Sequence, residues 1–109
     1  MTSFATSEKL RQLRERYRAS TDHIVEGFRG LALQLAGAPD DPAVLELLRR
    51  ELHRVHGTAG SYGYAEASQL ASALEERAGG WVAAPTLEVG ERAMLVAGFA
   101  RGLEAAFKG

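Results

Sequence analysis

Apolar residues recur along this chain at helical spacing, and the strict alternation a strand needs is nearly absent. Leu10, Leu13 and Tyr17 mark one stripe in a densely charged segment and predict a first helix from about Ser7, its N-cap, to about Ala19. Ser20-Thr21-Asp22 offers the cap of a second helix, which the 4-3-4 spacing of Ile24, Phe28, Leu31 and Leu35 carries to about Leu35. Ala36-Gly37-Ala38-Pro39-Asp40 breaks the chain. Asp41-Pro42 then opens a third helix with cap and proline in the favoured order. Leu45, Leu48, Leu52, Val55 and Ala59 form its buried face, and Gly60 to Gly63 its end. A fourth runs from about Tyr64 to Ala78 with Ala67, Leu70, Ala71 and Leu74 inward, and Gly79-Gly80 stops it. Beyond a link from Trp81 to Pro85, Thr86 caps a last helix through about Phe107. Leu87, Met94, Leu95, Phe99, Leu103 and Phe107 are its inward residues.

Short connections between helices of two to five turns imply antiparallel neighbours. The pattern therefore predicts an all-α fold, an antiparallel up-and-down four-helix bundle with an additional N-terminal helix lying across one end. Residues 1–109 make a single domain, long enough to bury one core.

Composition narrows the chemistry. Thirteen basic residues against fourteen acidic ones give a net charge of −1, without the basic excess of a nucleic-acid binder. With no cysteine, disulfides, thiolate metal sites and cysteine catalysis drop out. No apolar run is long enough to span a bilayer. The start, Met1-Thr2-Ser3-Phe4-Ala5-Thr6, lacks the basic-then-apolar order of a secretory signal, so a cytoplasmic protein is expected. Chain length and helix count predict a monomer.

The third helix carries the candidate chemistry in His53-Arg54-Val55-His56-Gly57-Thr58-Ala59-Gly60-Ser61-Tyr62-Gly63. At about 100° per residue, His56 (i+3), Gly57 (i+4), Gly60 (i+7) and Arg49 (i−4) share a face with His53. Both histidines fall beside the apolar stripe, so their rings should reach the surface. Each glycine costs a helix interior about 0.5–1 kcal/mol relative to alanine. Close approach of another molecule to His53 would explain that cost, and so would tight helix–helix packing. A neutral imidazole is nucleophilic near neutral pH and can hold a phosphoryl group as a phosphoramidate. The charge of that group wants donors or cations, for which His56, Arg49 and Arg50 are placed. The other ring nitrogen needs a partner, for which Glu75 or Glu76 on the next helix is the candidate. Read alone, a His-x-x-His pair also fits solvated surface residues, or a metal site completed by His23 or Glu75.

This segment resembles the histidine-containing phosphotransfer (HPt) domain, the four-helix bundle of multistep phosphorelays. The resemblance rests on His53, His56, Gly57, Gly60 and Gly63, and continues through Ala67-Ser68-Gln69-Leu70-Ala71 and Ala73-Leu74-Glu75, about thirty residues in all. It implies that His53 is the phosphoacceptor and that Gly57 leaves the ring open to a receiver domain. It places His56 where the family usually has lysine or arginine, and Glu75 where some members place a glutamine that hydrogen-bonds the active histidine. A histidine at 56 predicts phosphoryl retention that varies between roughly pH 6 and 7.5. Glu75 adds a negative charge that must keep clear of the phosphoryl group while orienting the ring. The implied partners are receiver domains of a hybrid histidine kinase and of response regulators. The implied cofactor set is none on this chain, with Mg²⁺ in the receiver's acidic pocket. No Walker loop or kinase-type ATP lid is present, so self-phosphorylation from ATP is not expected. The competing classes are an interaction bundle that keeps the shape without the phosphorylation, and a metal-binding bundle.

Overall fold

The computed structural model describes residues 2–109, and side-chain surroundings from residue 5 onward. Four helices form among them: α1 (Thr2–Gly37), α2 (Pro42–Ser61), α3 (Ala65–Ala83) and α4 (Arg92–Lys108). They pack in ring order. α2 lies extensively against α3 and α1 against α4; α3 meets α4 less, and α1 meets α2 least. Phe28 of α1 packs edge-on against Phe99 of α4 with ring centroids 4.9 Å apart, and Tyr17 packs near Phe107. Phe107 is one turn or more beyond Phe99 while Tyr17 precedes Phe28, so α1 and α4 are antiparallel. The same reversal holds between α2 and α3, where His53 meets Glu75 and the later His56 meets the earlier Ser68.

The five apolar residues read from the α2 pattern are all buried. Fully burying a leucine or valine contributes about 1.5–3 kcal/mol. Four such side chains therefore outweigh the roughly 1–2 kcal/mol that two helical glycines cost together. Pro42 occupies the first turn of α2, and the Asp41 carboxylate accepts from the Ala43 amide at 2.9 Å. The chain leaves α2 through Gly63, whose φ of +90° suits a residue without a Cβ. Tyr17, Tyr62, Tyr64 and Phe107 close that end of the bundle, with Tyr17 and Tyr62 stacked at 4.8 Å.

Three boundary expectations are corrected. The N-terminal helix and the second helix are one, because Ser20 and Thr21 bond back to the carbonyls of Tyr17 and Arg18 at 2.6 and 2.9 Å instead of capping a new start. With no proline or glycine between Ser7 and Glu26, nothing interrupts α1. Instead of lying across one end, its first turns extend the long axis of a molecule measuring 57 × 22 × 20 Å. Gly79-Gly80 does not stop α3, since the next residue, Trp81, is completely buried and holds the helix on to Ala83. Gly80 instead gives room to Leu87, whose methyl would lie 3.2 Å from an added Cβ. The last helix starts at Arg92, not near Thr86. Leu87 and Met94, expected inward, are 44% and 69% exposed, while Val96 and Ala100 are buried.

The late start of α4 has a cause. The guanidinium of Arg92 is completely buried, 5.5 Å from the centroid of the Trp81 ring. It donates to the carbonyls of Pro39 (2.6 Å), Leu87 (2.8 Å) and Pro85 (3.0 Å), tying the α1–α2 turn and the α3–α4 connection to one cation. Glu88, at a left-handed φ of +53°, closes the connection from outside. Its carboxylate accepts from Arg77 at 2.6–3.0 Å and from the Trp81 indole at 3.0 Å. These bonds, from Arg77 first and Trp81 second, hold the Glu88 carboxyl at about 2, below its ordinary 4.5.

Two outcomes follow for stability. Arg92→Met should cost about 3 kcal/mol in urea denaturation, because it strands several buried carbonyls at once. A carboxyl depressed in the folded state stabilises above its unfolded pKa and loses that contribution as it is protonated on acidification. The wild-type denaturation midpoint should therefore fall between about pH 5 and 2, and Glu88→Gln should flatten that part of the profile.

Candidate functional site

α2 and α3 come close because small residues line their contact, with Ala59, Ala67 and Ala71 fully buried. A Cβ on Gly60 would meet the Ser68 hydroxyl oxygen at 3.1 Å. That hydroxyl donates to the carbonyl of His56 at 2.7 Å, fixing the helices along their length. Seven residues back from Gly60 stands His53, and seven on from Ser68 stands Glu75. Seven residues are two helical turns, so the antiparallel register brings these two side chains together as well.

The His53 ring is 78% exposed, yet its Nδ1 lies 2.9 Å from Glu75 Oε2. An ionised carboxylate can only accept, so Nδ1 carries the proton and Nε2 is left with its lone pair toward solvent. The other oxygen, Glu75 Oε1, is 3.6 Å from His56 Nδ1. One carboxylate thus stands between two imidazoles, bonded to the first and within electrostatic reach of the second. Glu75 is the least exposed of the three, at 27%. Glu76, the other candidate for this place, is exposed, and no hydrogen bond or ion pair joins it to His53.

The two glycines separate in role. An added Cβ at Gly57 would meet nothing within 4 Å, so packing gives no reason for a glycine there. Gly60 has such a reason in Ser68. Arg49, one turn before His53, is 43% exposed and stands 3.9 Å from Glu46, a loose surface pair of little energetic weight. Arg50 is exposed, Tyr62 stacks on Tyr17 and Trp81 is fully buried. His23 is exposed on the α1 side of the molecule and does not join the His53 cluster. Among the described residues, no group of three or more His, Asp or Glu side chains is arranged to hold a metal ion.

Sequence reading missed two parts. Ser68 sets the helix register, and only the bulk of a serine facing a glycine signals it. The second is a groove of about 550 Å³ between α1 and α2, where packing is lightest. Ile24, Phe28, Leu31 and Val55 form its apolar part, and Arg54 and Thr58 reach it from the His53 helix. On α2 its lining runs from about 100° (Arg54) to about 200° (Val55) around the helix from His53. Thr58 and the Tyr17 hydroxyl close one end at 3.1 Å.

No helix among the described residues is long and apolar enough to cross a membrane. Comparison with curated proteins and with solved structures gives no match. Comparison with family models gives the Hpt domain, matched over residues 11–106. That span takes in α2 and α3 whole, most of α1 and α4, and His53 and Glu75 together, and the chain belongs to the Hpt domain family, the helical phosphocarrier modules of histidine phosphorelays.

Proposed function

We propose that His53 accepts a phosphoryl group from the phosphoaspartate of a receiver domain and returns it to the aspartate of another. The observation that carries this reading is a 78% exposed imidazole whose Nδ1 is held by Glu75, with Gly57 one turn on, where no packing would exclude an added Cβ. The Nε2 lone pair attacks phosphorus in line, the N–P bond forms, and the P–O bond to the aspartate breaks with the electron pair leaving on its carboxylate. The proton on Nδ1 stays in place. The imidazolium character that develops is balanced by the Glu75 carboxylate behind the ring. Glu75 also lies on the side away from Nε2, so its charge avoids the phosphoryl group. Such a transfer asks for positioning and charge neutralisation more than for bond-making help. His56 and Arg49 are the nearest cationic candidates on this chain, and the divalent ion belongs to the receiver's acidic pocket. The docking face is the open surface around His53 together with the α1–α2 groove.

Incubation with a phosphorylated receiver should label the wild type on a group that is acid-labile and base-stable, and His53→Gln should take no label. Equal labelling of both proteins would overturn the assignment. Glu75→Ala should slow transfer about tenfold, near the 1.4 kcal/mol of one hydrogen bond to a charged group, with Glu75→Gln falling between the two. Gly57→Ala provides the sharper contrast. Urea denaturation should show it equal to or up to about 1 kcal/mol more stable than wild type, while stopped transfer assays show slower labelling.

A further inference from the structure

Along α1, the bundle ends before the helix does. At about 1.5 Å per residue, 36 residues span about 54 Å, whereas α2, α3 and α4 span about 25–30 Å. Among the described residues, the first ring contacts to the rest of the molecule are made by Tyr17, and the buried core on α1 begins at Thr21 and Val25. Residues 7–16 therefore form an arm that lies outside the buried core and the ring contacts of the bundle.

This arm is not a uniformly solvated rod. Leu10, Leu13 and Tyr17 lie on one face, with Leu10 48% exposed. The stripe continues at seven-residue steps from Leu10 through Tyr17 and Ile24 to Leu31, and the last three line the α1–α2 groove. Lys9 and Arg16 edge the stripe on one side and Arg14 on the other. None of these three stands in an ion pair, whereas Glu8 and Glu15 are both bound to Arg11. Residues 2–19 carry five basic and two acidic side chains, against eight basic and twelve acidic over residues 20–109. A positive arm thus projects from a negative body. Basic edges on both sides disfavour pairing with the same helix of a second copy, since like charges would meet.

We infer that the arm extends the docking face and seats an apolar, acid-edged strip on the flank of the same receiver domain that presents its aspartate to His53. The inference rests on the phosphotransfer reading above. Distance supports a single partner. Tyr17 stands level with Thr58, five residues beyond His53, so Leu13 and Leu10 lie about 13 and 18 Å from His53 along the bundle axis. A globular domain of about 100 residues has a radius of gyration of about 13 Å, and hence an outer radius of about 17 Å. Along the bundle axis, a receiver centred over His53 extends past the levels of Tyr17 and Leu13 and ends about 1 Å short of Leu10. Charges at such a rim govern encounter rate and choice of partner more than the chemical step.

The test uses the full chain and the receiver domains of its source organism, carrying beryllium fluoride as a phosphoryl mimic. Two variants keep the core intact, Lys9→Glu/Arg14→Glu/Arg16→Glu and Leu10→Ser/Leu13→Ser, with helix content checked by circular dichroism. For the receiver that binds wild type most tightly, charge reversal should weaken Kd at least tenfold in 50 mM salt and flatten its salt dependence. The leucine variant should weaken Kd several-fold and leave the salt dependence in place. At saturating phosphorylated receiver, both variants should label His53 within twofold of the wild-type rate. Unchanged Kd in both variants overturns the inference. So does an effect confined to vesicles of equal phosphatidylglycerol and phosphatidylcholine, which would make the arm a lipid-binding element. A receiver that needs the arm to bind but never labels His53 would sink the phosphotransfer reading and leave the arm's role standing. Failure of every receiver to bind overturns both.

Discussion

The register between α2 and α3 is the constraint from which the site follows. It is fixed where no chemistry happens, at Gly60 against Ser68 and at the Ser68 bond to the His56 carbonyl. Two turns away the same register delivers Glu75 to His53, and the position of an exposed ring is thereby set by buried geometry. A bulkier residue at 60 would push Ser68 away, and the displacement would be felt at Nδ1 before it was felt in the core. Small residues at a helix contact are usually credited with stability. Here their product is the aim of one nitrogen.

The bundle is unevenly packed, and the unevenness divides the labour. The tight α2–α3 side holds the imidazole and its carboxylate. The loose α1–α2 side leaves an apolar groove next to the same helix. On the proposed reading, a partner meets a firmly held imidazole beside a lightly packed surface. The far ends are fastened separately. Arg92 gathers two connections around one buried cation, and the tyrosine cluster seals the opposite end.

Much of this was legible in the sequence. The α2 face was read residue for residue, because its apolar spacing is regular and its ends carry strong signals in Asp41-Pro42 and Gly63. His53 with its glycines was legible for the same reason, as was a carboxylate partner at Glu75 or Glu76. What failed were boundaries set by tertiary contacts. Ser20-Thr21-Asp22 has cap composition, but side chains that bond to their own preceding turn leave the helix intact. Gly79-Gly80 has stop composition, but burial of Trp81 outweighs it. Thr86 looked like a cap because the burial of an arginine six residues on cannot be anticipated from local pattern. The α1–α2 groove had no signal at all, since it is an absence of packing between two helices that each look amphipathic.

The openness of His53 also sets a clock. With 78% of its side chain in water, the ring offers a bound phosphoryl group no wall against hydrolysis. Whatever lifetime such a group has on this protein is close to that of the phosphorus–nitrogen bond itself. On the phosphotransfer reading, the lifetime of that group is then set by the bond and by the next receiver it meets, not by shelter from the protein.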